Sequence, residues 1–276
     1  MEVKTKKNIL FYIMVIVFVG FVIFPFLWQF MTSVKPLDEI NKMPPVWIPS
    51  KVNTQFYINV FTKRPFARYL LNSFIVASCT TLFSIAAGSA CAYALARLRF
   101  KGKNVILASI LTISMFPAIA TVSPLFIFLK NMKLLNTYSG LVLPYTTFAL
   151  PLTIWILTNF FREIPKGLEE AAVIDGCFAA KAFIRIILPL AAPGIFAAAL
   201  LTFITAWNEF LYGLTFMTSD SMRTVPVAIS LFPGKYDLPW GDMAAASIVV
   251  TVPLIILVLL FQKHVIAGLT AGGVKE

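Results

Sequence analysis

Long apolar runs constrain this chain more than any other feature of its sequence. Windows of roughly 20 residues or more, the length at which a helix crosses about 30 Å of hydrocarbon, recur through most of the 276 residues. They fall at about 9–31, 70–96, 105–129, 139–161, 194–217 and 243–262. The runs are continuous and do not alternate, so they are not barrel strands, and each segment must satisfy its own backbone in lipid. We therefore predict an all-α membrane protein with six transmembrane helices.

The composition supports a single transmembrane domain over 1–276. Hydrophobic residues make up 59% of the chain and charged residues 13%, with a mean hydropathy of +0.86. A soluble domain could not bury that much apolar surface. The first run is too long for the apolar region of a signal peptide, so we interpret it as a retained span.

Lysine and arginine predict the orientation. The net charge of +11 does not indicate a nucleic-acid partner, because the basic residues are dispersed and form no long basic face. Thirteen of the 23 lysine and arginine residues lie at the amino terminus, in the 97–104 and 162–193 loops and in the tail 263–276. Six of the other ten lie in the long segment 32–69, where the charge bias is weaker. Both termini and the 162–193 loop are thus predicted to be cytoplasmic, and 32–69 extracytoplasmic.

Prolines leave two questions open. Six lie within the predicted spans: Pro25, Pro117, Pro124, Pro144, Pro151 and Pro253. They either produce ordinary kinks or open a central path. In 32–69 the KMPPVWIP stretch is predicted to be extended, and Asn53-Thr54 to cap a short helix through Phe61. That segment either covers the spans or receives a soluble partner.

The loop 162–193 is predicted to form two short helices joined by a sharp turn. Pro165 starts the first helix, and Asp175-Gly176 ends it. The second is expected from about Phe178 to Ile187, with Pro189 as its end. These properties alone fit either a docking element or a helical loop lying on the membrane surface.

The spacing within this loop resembles a known family. Glu170-Ala171-Ala172 is followed after three residues by Gly176, and nine residues later comes an I-x-L-P sequence at 186–189. This pattern is similar to that of the permease subunits of ATP-binding-cassette importers. FLWQFMTSVKP, PFARYLLNSFIVA, AYALARLRFKGK, WNEFLYGL and GLTAGGVKE resemble the carbohydrate branch, specifically its maltose-type, MalG-like subunits. Cys177 departs slightly, because alanine is commoner there.

The resemblance implies a type I importer permease whose 162–193 loop couples the spans to a cytoplasmic ATPase. The docking residues it implies are Glu169, Glu170, Ala171, Ala172, Asp175, Gly176, Ile186, Leu188 and Pro189. The expected partners are a second, different permease, two copies of the ATPase, an extracytoplasmic sugar-binding protein and a carbohydrate. ATP and Mg would bind the ATPase, and this chain would be neither an enzyme nor a cofactor carrier. The expected location is the cytoplasmic membrane of a bacterium or archaeon.

Glu209 is the only acidic residue within the predicted spans, beside Trp207 and Asn208. An ionisable group there should face the bundle interior or water. These residues either line a pathway or gate, or Glu209 has a structural hydrogen-bonding role.

Two other functions are weaker hypotheses. An ion-gradient-driven secondary transporter would have inverted repeats and several intramembrane charges. An intramembrane hydrolase would need a Ser, Asp or metal constellation, and the single histidine, His264, makes a metal site improbable. The chain has no P-loop sequence, so any ATP-derived energy must come from another polypeptide.

Overall fold

The computed structural model describes residues 2–232, 234 and 238–271, with side chains described from 11 to 262 of these. No strand occurs in this part of the chain, which confirms the all-α prediction. The helices are α1 Glu2–Val34, α2 Leu37–Ile40, α3 Gln55–Thr62, α4 Phe66–Arg97, α5 Lys103–Ser114, α6 Ala118–Asn131, α7 Tyr138–Glu163, α8 Lys166–Ile174, α9 Ala179–Ala182, α10 Leu188–Leu190, α11 Ala192–Asn208, α12 Leu211–Phe216, α13 Val225–Ser230 and α14 Trp240–Ala271. A π-helical turn, Phe183–Ile187, joins α9 to α10.

Four described helices are long and apolar enough to cross a membrane by themselves. These spans are Phe11–Val34, Phe66–Arg97, Tyr138–Glu163 and Trp240–Gln262. Two further candidates are bent pairs: α5 with α6 at 89°, and Ala179–Leu190 with α11 at 77°. The described chain therefore has four to six candidate spans, and the count of six stays a prediction.

Proline explains the break between α5 and α6. Pro117 lies at the junction, lacks an N–H and disfavours helix in the residue before it. The other five intramembrane prolines lie inside helices α1, α6, α7 and α14, which continue through them. Most of these prolines are therefore accommodated within a continuous helix.

Two predicted boundaries need correction. The helix of the fifth window ends at Asn208, because Glu209 is extended and a separate short helix follows, so 194–217 is not one helix. The last helix continues beyond 262 to Ala271, so it includes most of the predicted tail 263–276. Residues 272–276 lie outside the described residues.

The chain divides into two units, and the first comprises residues up to 66 with 229–252. Within it, α3 forms where it was predicted, and the Asn53 side chain accepts a hydrogen bond from the Gln55 N–H at 2.9 Å. Phe56 packs where Gly241 leaves room, since a Cβ there would lie 2.4 Å from the Phe56 ring. Helix α3 is therefore packed against the start of α14.

The second unit comprises residues 67–228 with 253 onward, and it contains the predicted docking loop. One of its hydrophobic clusters, which we call the loop cluster, joins three long helices to the end of this loop. Its buried members are Ala92, Ala96, Leu157, Phe161, Ile187, Ala191 and Ala198. The loop is thus packed into the helices on either side of it in sequence.

Candidate functional site

The first half of the loop has the predicted boundaries. Helix α8 follows Pro165 and ends at Ile174. The Gly176 N–H donates to Val173 O at 3.0 Å, and the Cys177 N–H donates to Ala172 O at 2.8 Å. This is a Schellman cap, which requires a left-handed residue after the helix. Gly176 has φ +83°, a conformation that side-chain-bearing residues rarely adopt.

Glu169 fastens α8 to the end of α4. Its carboxylate accepts a hydrogen bond from the Tyr93 hydroxyl and forms an ion pair with Arg97, with Nε and Oε2 3.3 Å apart. The Arg97 side chain is 4% exposed and also donates to Ile164 O at 2.8 Å. The carboxylate therefore neutralises a buried guanidinium, and its contacts are made inside this chain.

Glu170, its neighbour in sequence, is exposed. So are Ala171, Asp175 and Gly176, whereas Ala172 is buried. In the described part of the chain Glu170 forms no ion pair, and α8 therefore has an anchored face and an open face. The open face also presents Val173 and Ile174, which are 56% and 86% exposed.

A cavity of about 410 Å³ lies between α8 and the end of α4. Its lining includes Arg97, Arg99, Lys166, Glu170 and Ile174. The cavity thus presents basic and apolar groups beside an exposed carboxylate.

The second half of the loop departs from the predicted helix. It starts at Ala179 and passes through the π-helical turn, and the helix continues to Leu190, so Pro189 does not end it. Pro189 has no N–H to donate to Arg185 O, and the preceding turn widens so that Leu188 N–H bonds to Phe183 O. The break falls instead at Ala191, before α11.

Sequence reasoning missed the residues that hold this half in place. Ile187, the unspecified position of I-x-L-P, is fully buried in the loop cluster, whereas Ile186 and Leu188 are half-buried and Pro189 is exposed. Phe183 packs against Tyr93, with ring centroids 4.7 Å apart. Tyr93 and Arg97 are four residues apart on one face of α4, and that spacing was the available signal.

Trp207, Asn208 and Glu209 lie together at the end of α11 but face different surroundings. Trp207 is 2% exposed and Asn208 is exposed. The Glu209 carboxylate accepts hydrogen bonds from the Tyr145 hydroxyl, from Tyr212 N–H at 2.9 Å and from Gly213 N–H at 3.1 Å. It therefore caps α12, which is a structural role, and the pathway role stays a prediction.

Metal ligation has no support in the described residues, where no group of three or more His, Cys, Asp or Glu side chains comes together. His264 lies in α14, but its side chain is outside the described ones.

Comparison with known proteins agrees with this architecture. Residues 84–270 match the family described as "Binding-protein-dependent transport system inner membrane component". This range contains the whole 162–193 loop and most of the second unit. The chain belongs to this family of transporter membrane subunits.

Individual relatives match over most of their length. The chain is 42% identical over 278 residues to the trehalose/maltose transport system permease protein MalG of Thermococcus litoralis, covering 100% of this chain and 99% of the relative. It is 41% identical to the sulfoquinovosyl glycerol transport system permease protein SmoH of Agrobacterium fabrum, and the match covers 92% of this chain and 89% of the relative. A chain from the crystal structure of a bacterial importer of the acidic polysaccharide alginate has the same fold, with a TM-score of 0.82 and 19% identity. The match covers 96% of this chain and 98% of the solved chain.

Proposed function

We propose that this chain is the permease subunit of an ATP-driven carbohydrate importer, forming half of the translocation path. Family membership supports a transport role, and the relatives above 40% identity carry the names of sugar permeases. Those names specify different sugars, so the proposal is limited to the carbohydrate class. No comparison supports an ion-gradient-driven secondary transporter.

The observation that carries the coupling role is the division of α8 into an anchored face and an open face. Glu169 holds one face to Tyr93 and Arg97 of α4. Glu170, Asp175 and the exposed Ile174 lie on the other and are free to meet a second polypeptide. A partner that moves α8 would therefore pull on α4 through the Glu169 contacts.

The loop cluster supplies the second connection. Ile187 and Ala191, at the end of the loop, are buried with Ala92 of α4 and Phe161 of α7. Packed interiors transmit displacement because they contain few voids. Movement of the loop is thus expected to shift the ends of three spans together, which is what alternating access requires.

The partners in this proposal are a second permease, two copies of a cytoplasmic ATPase that holds ATP and Mg, and an extracytoplasmic sugar-binding protein. The chain itself catalyses no reaction. The loop and both termini face the cytoplasm of a bacterium or archaeon, as the lysine and arginine distribution predicts. In this arrangement the exposed Asn208 lines the pathway, and the buried Trp207 and the Glu209 cap hold the end of α11 beside it.

The test is a matched pair of glycine substitutions in the loop. Gly176→Val forces a β-branched residue into a left-handed conformation, at a cost of about 1–2 kcal/mol or more. Gly167→Val adds the same side chain within α8, where no atom lies within 4 Å of the new Cβ. We expect the Gly176 variant of the reconstituted transporter to hydrolyse ATP without sugar uptake, and the Gly167 variant to retain uptake. Normal uptake by an assembled Gly176→Val transporter would contradict the proposal.

A further inference from the structure

A second cavity, of about 420 Å³, lies in the first unit where α1 ends and α14 begins. Aromatic, amide, hydroxyl and ammonium groups line it. Among the lining residues are Trp28, Gln29, Lys35, Asn41, Trp240 and Ser247. This volume suits a small ligand or a headgroup.

Lys35 is the unusual member of this lining. The residue is 2% exposed, and its ammonium lies 4.2 Å from the centroid of the Trp28 ring. In the described part of the chain it forms no hydrogen bond and has no carboxylate within ion-pair distance. Asp38 and Glu39 follow on the same segment, and the Glu39 carboxylate accepts from Ser50 N–H at 3.2 Å and interacts with the Lys35 charge only beyond ion-pair distance. A buried ammonium with no carboxylate in direct contact favours an anion in the cavity beside it.

The polar neighbours of Lys35 offer further donors. The Ser247 hydroxyl is already bonded to Met243 O, and the Thr32 hydroxyl to Trp28 O. The side-chain amides of Gln29 and Asn41 form no hydrogen bond with any described residue. Two amides and one ammonium together suit the oxygens of a phosphate group.

The position of the cavity identifies the source of that phosphate. Apolar residues of α1 run from Phe11 to Val34, long enough to cross the hydrocarbon layer, and Lys35 follows immediately. Three of the five tryptophans gather here, because Trp47 packs edge-on against Trp28 with centroids 5.3 Å apart, and Trp240 lines the cavity. Tryptophan is enriched at the level of lipid headgroups.

We propose that this cavity binds the phosphate of an anionic phospholipid in the leaflet opposite the amino terminus. Lys35 supplies the charge and the Gln29 and Asn41 amides supply hydrogen bonds. The bound lipid would hold the end of α1 against the start of α14. The proposal does not depend on the direction of transport or on the cargo.

The experiment measures lipid retention by the purified transporter complex in native mass spectrometry. Phosphatidylglycerol and phosphatidylcholine are offered in equal amounts after delipidation. We expect at least a tenfold preference for phosphatidylglycerol in one tightly held copy, and at least a tenfold loss in Lys35→Gln. Lys35→Arg should retain it, and Lys51→Gln, which removes an exposed lysine of the same segment, should have no effect.

Two further arms make the result decisive. Ser247→Leu keeps Lys35 but fills the cavity, so it should also lose the lipid, and it replaces Lys35→Gln if that variant does not assemble. Inorganic phosphate at millimolar concentration tests whether the cavity binds a soluble anion. If phosphate is retained and lipid is not, the cavity binds phosphate groups but the proposal of a phospholipid ligand is overturned. Equal phosphatidylglycerol retention by Lys35→Gln, Ser247→Leu and Lys51→Gln would overturn the site itself.

Discussion

The adjacent carboxylates Glu169 and Glu170 of α8 should respond differently when each is removed. Glu169→Ala removes the anion from Arg97, whose side chain is 4% exposed, and leaves it the Ile164 carbonyl. Breaking a buried ion pair costs about 3–5 kcal/mol. Because the Glu169 side chain is 19% exposed, we take the lower end, about 3 kcal/mol, for local opening of α8.

That energy corresponds to roughly a 100-fold increase in the open population, since each 1.4 kcal/mol is tenfold. The amides of Asp175, Gly176 and Cys177 report it, because each donates to a carbonyl of α8. Their hydrogen exchange, measured by mass spectrometry on the permease without the ATPase, should accelerate by about that factor.

Glu170→Ala is the matched control. Its carboxylate is exposed and has no ion-pair partner in the described residues, so exchange of the free loop should be unchanged. With the ATPase present, however, this variant should lose part of the protection that the partner confers on α8. Exchange in Glu169→Ala within threefold of the wild type, or an equal acceleration in Glu170→Ala, would refute the anchoring role of Glu169.

Two further predictions concern packing and pH. Gly194→Ala places a Cβ 2.3 Å from the Phe160 ring, so overpacking of about 1–3 kcal/mol should lower the thermal unfolding midpoint. Gly167→Ala adds a Cβ in open space and should leave the midpoint unchanged. Equal midpoints for the two variants would contradict the close approach of Gly194 to Phe160. Hydrogen bonding from Ser50 holds the pKa of Glu39 below its ordinary value of 4.5. The Glu39 carboxylate therefore contributes its full stabilisation above pH 4.5, and this contribution is lost as the pH falls through the lowered pKa. The difference in unfolding midpoint between wild type and Glu39→Gln should therefore disappear on acidification, and a constant difference would refute this.

Local signals in the sequence were sufficient for several features. The apolar runs required helices because lipid offers no hydrogen bonds to the backbone. The Asp175-Gly176 pair predicted the end of α8 because a left-handed residue is needed there, and Gly176 has that conformation. The start of α3 after Asn53-Thr54 was predictable for the same kind of local reason, and the Asn53 side chain accepts there from the Gln55 N–H.

Tertiary structure alone decided how these elements use their side chains. Glu169 and Glu170 are identical in type and adjacent, yet only Glu169 meets Tyr93 and Arg97, since the packing of α8 on α4 selects one face. Glu209 was recognisable as an unusual intramembrane carboxylate, but its role as the cap of α12 depends on where α11 ends.

The sequence by itself thus determined that the spans are apolar and helical and that the 162–193 loop turns at Gly176, because composition and backbone preference act over a few residues. The burial of Ile187 and the enclosure of Lys35 depend on segments distant in the chain. Such contacts arise only when helices pack, and a local pattern does not specify which distant residues a helix face will meet.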